Sequence, residues 1–331
     1  MLGLLPACEN VGWGGIEVSL RTPPASPSAL VSPTLPEEAD LPLEPLDLGP
    51  LAYWVERTGA RARFYPIARW NGGQYGPLPD LRETPDLLAR FPLERWEEGT
   101  EFTLMDRGGR VGTLISDGST GWEEGFCQPR PVGQGWLELQ PGSESTPVFV
   151  ALRKGDLGDD LPPPQSGTVS GPGSAATRQA GALALAQGVI QQAGVPWPPS
   201  IPEAIREVRS FSLHSGADAL AVSFGYGVPL SVGAGTPNGY TVLALGRRDS
   251  DRWRPFWTWV QPVRDGQAFA RVRGAARLGT QTEADLFLEV FGADSRWLAV
   301  LGEREGEWSL LYQDACGVVP RAAATRSWGG S

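Results

Sequence analysis

Residues 51–70 read LAYWVERTGARARFYPIARW. Apolar and polar positions alternate on both sides of Thr58-Gly59, the pattern of two half-buried strands joined by a tight turn. That reading sets the fold class, because the same device returns along the chain. Residues 99–118 (GTEFTLMDRGGRVGTLISDG) predict a second hairpin turning at Gly108-Gly109, and 135–141 (GWLELQP) and 146–154 (TPVFVALRK) predict two more strands. Between the hairpins, 84–96 (TPDLLARFPLERW) has room for a helical turn or two. Residues 51–154 are therefore expected to form a small antiparallel β-barrel or sandwich.

Further along, a linker rich in Asp, Pro, Gly and Ser covers 155–173 and leads into the one clear helix, Ala175–Ala193. Ser174 is placed as its N-cap and Gly194 as its C′ residue. Leu183, Ala186, Val189 (or Ile190) and Ala193 are expected to form its apolar stripe. Ser200-Ile-Pro-Glu203 has the form of a capping box opening a short second helix. From Glu207 to Gln313 the pattern is β again, and it runs twice. Residues 208–227 line up with 272–293, and 241–253 with 297–308, each copy ending on a Trp, Trp253 or Trp308. The expected fold is mainly β: two antiparallel domains, 51–154 and 174–320, the second a duplicated β-unit, with one helix between them and a flexible tail over 321–331.

The C-terminal third is weakly similar to FG-GAP-type β-repeats. It lacks their calcium loop, since Asp218 in one copy and Glu283 and Asp285 in the other cannot supply the six to eight oxygens calcium takes. The similarity implies the β-unit and no metal. Two copies are too few to close a propeller, so a pair of packed sheets is expected.

Gly (43) and Pro (31) together exceed a fifth of the chain, which favours short strands and many turns. The apolar fraction of 41% is enough for real cores. A net charge of −10 with a single lysine, Lys154, argues against nucleic acid as a partner. No apolar run is long enough for a membrane-spanning helix.

The tetrad Leu5-Pro6-Ala7-Cys8 resembles the lipobox of bacterial lipoproteins, in which the Cys receives a diacylglyceryl thioether and becomes the first mature residue. The resemblance implies lipidation at Cys8, with residues 1–7 the remnant of a truncated signal whose start lies upstream. It also implies a membrane partner held through the lipid and an address in the bacterial cell envelope, on the periplasmic or surface face. Residues 8–50 read as anchor and tether: prolines recur from Arg21 to Pro50 among five carboxylates, an extended, disordered spacer. Gly15–Leu20 has the composition of one extra strand. A Cys8 that is incidental to a soluble protein is the other reading.

Motifs of catalysis are scarce. The single histidine, His214, has no G-x-S-x-G elbow to serve, and zinc ligands at useful spacing are lacking. Gly233-Ala-Gly-Thr-Pro-Asn-Gly239 has its third glycine one place late for a dinucleotide loop and precedes a strand, so it reads as a mobile hairpin loop. No cofactor is expected. The acid pairs Glu97-Glu98, Glu123-Glu124 and Asp159-Asp160 read as solvated turn residues. In 252–260, RWRPFWTWV, a period of two puts Trp253, Trp257 and Trp259 on one face. That face is either the inside of a sheet or a platform for a glycan or protein partner. Cys127 and Cys316 remain as an even pair, which in an exported protein suits a disulfide. The functional expectation is a non-catalytic envelope lipoprotein with a binding, scaffolding or structural role. The alternative is an envelope glycan hydrolase using a carboxylate pair beside the Trp face.

Overall fold

The computed structural model describes residues 46–79, 90–106, 109–156, 174–213, 217–250, 252–278 and 283–318. The lipobox-like tetrad, nearly all of the tether, His214 and Asp159-Asp160 lie outside them. Everything described belongs to one compact unit, Glu44–Ser331.

Its first part is a closed six-stranded antiparallel barrel. Strands β1 (Leu51–Thr58), β2 (Arg61–Asn71), β4 (Glu101–Asp106), β5 (Gly109–Glu123), β6 (Arg130–Leu139) and β7 (Val148–Arg153) follow the order β1-β7-β4-β5-β6-β2. Pairing of β1 with β2 closes it, and the short β3 (Gln74–Gly76) extends β2 outward. The opening hairpin turns at Gly59, whose φ of +67° suits glycine. Alternation sends Tyr53, Val55, Phe64, Phe102, Leu104 and Phe149 into the barrel. A 3₁₀ turn, Leu93–Trp96, adds Trp96, whose indole N–H donates to the Tyr53 hydroxyl at 3.2 Å and whose ring stands edge-on to Tyr53.

The second part is two four-stranded antiparallel meanders. One holds β8 (Ile205–Ser212), β9 (Asp218–Tyr226), β10 (Tyr240–Asp249) and β11 (Arg252–Pro262). The other holds β12 (Phe269–Ala276), β13 (Asp285–Phe291), β14 (Arg296–Arg304) and β15 (Glu307–Gln313). The two sheets pack face to face on Leu243, Leu245, Trp259, Leu286, Leu288 and Leu301. Helix α1 (Ala175–Ala193) covers the outer face of the first sheet. The barrel covers the outer face of the second, where Phe287, Leu298 and Val300 meet Trp54, Ile67 and Val150. Barrel and sheets thus share a continuous core, in the layer order helix, sheet, sheet, barrel. This explains why β13 is buried at every position: both its faces are covered, and each fully buried Leu or Phe contributes about 1.5–3 kcal/mol.

Helix α1 has the predicted ends. Ser174 Oγ accepts from the Thr177 N–H, and Gly194 is left-handed with its N–H on the Ile190 carbonyl. Its apolar stripe is shifted from the expected one. Ala182, Leu185, Ala186, Val189 and Ile190 are buried, Leu183 only partly so, and Ala193 is exposed. Steric fit against the sheet decides this, since Gly246 leaves room for Leu185 and Gly181 for Trp253. The N-cap half of the expected box forms, with Ser200 Oγ accepting from the Glu203 N–H at the start of α2 (Ile201–Ala204).

Candidate functional site

The tryptophan row does not form a platform. Between Leu245 and Gly246 the β10–β11 register slips, leaving Phe256 as an extra residue in β11. A bulge reverses the alternation. Trp257 and Trp259 consequently point between the two sheets and are buried, 9% and 1% exposed, whereas Trp253 lies on the opposite face against α1. Trp308 packs between the sheets on Phe211 and Phe256, so it and Trp253 occupy different faces. The subsite required by a glycan hydrolase at Trp257 and Trp259 is therefore core.

The acid pairs are equally unpromising for catalysis. Glu97 and Glu98 stand exposed on a turn. Glu123 is occupied by Arg63 at 2.6 Å, by Arg296 at 3.6 Å and by the Gly125 N–H. Burial alone would raise its carboxyl, but these hydrogen bonds and cations outweigh it and hold Glu123 below the usual carboxylate range. The glycine loop before β10 is tied down. Gln267, 4% exposed, accepts from the Gly235 N–H and donates to the Gly233 carbonyl.

Cys127 and Cys316 are joined by a disulfide, with Cα atoms 6.2 Å apart. It links the loop between β5 and β6 of the barrel to the turn after β15. A second joint lies close by in sequence. Arg130, 2% exposed, donates to the Pro66 and Ile67 carbonyls and to Asp314 Oδ1. The Tyr312 hydroxyl also donates to Asp314 Oδ1, and Oδ2 accepts the Leu298 N–H at 2.9 Å. Sequence reasoning missed this joint because 184 residues separate the ionic partners. Two further joints of the same kind were missed. Asp285 pairs with Arg304 and accepts from the Tyr75 hydroxyl at 2.6 Å, and Asp106 pairs with Arg209 at 3.1 Å. Burial pushes the Asp285 carboxyl up despite these bonds. In the Arg130–Asp314 and Asp106–Arg209 joints the ion pair itself spans barrel and sheets, whereas Asp285 and Arg304 both belong to the second sheet and reach the barrel through the Tyr75 hydroxyl and the Gly73 carbonyl, to which Arg304 donates at 3.0 Å. They hold the two parts in one orientation.

The concave feature best suited to a ligand is a groove of about 510 Å³ at the C-terminal end of α1. Val189, Gln192 and Val195 form one wall. Asn238 and the outward face of β11, at Thr258 and Val260, form the other. The groove exists because Gly194 ends the helix and Pro196 leads the chain away, leaving the start of β10 and the end of β11 uncovered. Tyr240 lines it, 1% exposed, with a hydroxyl that has no partner among the described residues. Burial, and then the neighbouring Tyr226, push that hydroxyl up to about 12, so it stays protonated as a donor at neutral pH. Exposed apolar side chains continue from the same segments: Trp197 next to Pro196, and Leu230 and Val232 in the loop that ends at Asn238. None of the lining residues is a carboxylate, thiol or imidazole. The groove can bind a partly apolar ligand through the Gln192 and Asn238 amides, the Thr258 hydroxyl and the Arg264 guanidinium, and it holds no acid–base pair. Its volume lies within the range of small-ligand sites.

No family model, curated protein or solved structure matches this chain.

Proposed function

We propose that this chain is an envelope lipoprotein, held to a membrane by a lipid on Cys8 and a Pro-rich tether. Its barrel-and-sandwich unit serves as a non-catalytic binding module, and the groove beside α1 is its ligand site. The observation that carries the reading is the Cys127–Cys316 disulfide, which suits an oxidising compartment outside the cytosol. The lipobox-like Leu5-Pro6-Ala7-Cys8 and the acidic, Pro-rich tether support the same address. A binding role is favoured over catalysis because the groove lacks acid, thiol and imidazole groups, and the Trp face once suited to a hydrolase is buried.

Expression of the gene with its upstream DNA in its bacterial host, fed an alkyne fatty acid, tests the anchor. Label should appear on the wild-type chain in the membrane fraction and vanish with Cys8→Ser. An unlabelled protein that fractionates with the cytosol would overturn the reading.

A further inference from the structure

Among the described residues of the barrel, Trp136 is the strongly exposed tryptophan, on the outer face of its wall. It is 50% exposed and lies in β6 directly across from Arg61 of β2 and Ile115 of β5. The Arg61 guanidinium stacks on its ring, 4.5 Å from the centroid, and is itself held by Asp117. Gln134 and Glu138, two residues to either side, project from the same face and are exposed. Beside them a polar depression of about 290 Å³ is lined by Thr103, Arg110, Thr113, Glu138, Gln140 and Lys154. Thr113 faces Glu138 across the strands, so tryptophan and depression are continuous. Arg110 and Glu138 have no ionic partner among the described residues, whereas Lys154 is spent on Glu101 at 2.7 Å.

We infer that this face is a platform for an uncharged β-linked pyranose chain, with one ring on Trp136 and the next in the depression. An all-equatorial sugar presents a flat face of axial C–H groups, which matches an indole ring. Its hydroxyls need donors and acceptors side by side, which Arg110, Gln134 and Gln140 supply together with Glu138. The face is balanced in charge, Arg61, Arg110 and Lys154 against Asp117, Glu138 and Glu101, on a chain of net charge −10, so it offers a strongly anionic ligand no excess of cations. Trp and Arg, stacked here as Trp136 on Arg61, are also among the side chains in which binding energy concentrates. This inference rests on the barrel surface alone and is independent of the groove at α1 and of the anchor.

Isothermal titration of the full chain with cellohexaose and with N-acetylchitohexaose tests it. At least one should bind with a dissociation constant of about 1 mM or tighter. Trp136→Ala should weaken that binding by about tenfold or more, Trp136→Phe should keep it within about threefold, and Glu138→Gln should weaken it several-fold. Unfolding midpoints of all three variants should equal the wild type. Binding of neither sugar, or a Trp136→Ala variant that binds as the wild type does, overturns the inference.

Discussion

Reducing the Cys127–Cys316 bond should cost this protein a large part of its stability. The two cysteines are 189 residues apart, so the bond closes most of the folded unit into a single loop of the denatured chain. On the chain-entropy relation a loop of that size is worth about 5 kcal/mol at 25 °C, an upper figure because denatured chains retain some structure. Set against a typical total of about 5–15 kcal/mol, that moves the reduced protein close to its folding threshold. The geometry makes the effect specific, because the bond ties the barrel to the end of the second sheet, beside the Arg130–Asp314 joint. The measurement is urea unfolding of the full, unlipidated chain with and without dithiothreitol, followed by circular dichroism and fluorescence in parallel. Coincident transitions by the two probes are the check that unfolding of the oxidised chain is two-state. The native oxidised chain should titrate one reactive thiol, Cys8, and the reduced, unfolded chain all three cysteines. A loss below about 1 kcal/mol on reduction, or three reactive thiols in the untreated native protein, would refute the reasoning.

Three other outcomes follow from the packing. Asp314→Asn leaves the buried Arg130 charge and either the guanidinium or the Leu298 N–H facing an amide donor, and should cost about 3–5 kcal/mol. The double variant Arg130→Met/Asp314→Leu should recover only part of that in the same urea assay, because the Leu298 N–H and the Tyr312 hydroxyl lose their acceptor, and a single-variant loss near zero would remove the joint from the account. Glu123 has a lowered carboxyl pKa, so its contribution is fully present above the unfolded value of 4.5 and is lost as pH falls through the lower folded value. Thermal midpoints should therefore decline less steeply below pH 4.5 in Glu123→Gln than in the wild type; superimposable acid limbs would contradict this. Gly246→Ala would place a methyl about 2.4 Å from the Leu185 methyl groups and should cost about 1–3 kcal/mol, with Leu185→Ala non-additive in a double-variant cycle.

How far the fold could be read from the sequence differs from one element to the next, and range is the reason. The hairpin at Gly59 and the caps at Ser174, Gly194 and Ser200 are local devices, and each forms where its residues are. The β11 row failed as a platform because strict alternation assumes an unbroken ladder. The bulge at Phe256 arises from pairing with β10, a partner whose register RWRPFWTWV does not carry. The helix stripe was misplaced by the same cause, since Gly246 on a distant strand chooses which leucine fits. The groove at α1 left one trace in sequence, the Gly194-Val-Pro196 stop, but its second wall comes from β11.

By itself, then, the amino-acid sequence determined the β-rich class, the helix with its ends, and a pair of cysteines suited to bonding. Each of these depends on residues a few positions apart, or on simple counting. Only the tertiary structure decided that the first β region closes into a barrel and that it shares a core with the two sheets. The same holds for the burial of Trp257 and Trp259, which leaves Trp136 as the aromatic ring on the barrel's surface. Those outcomes depend on which surfaces are covered, and covering is a property of contacts between residues some 70 to 190 positions apart.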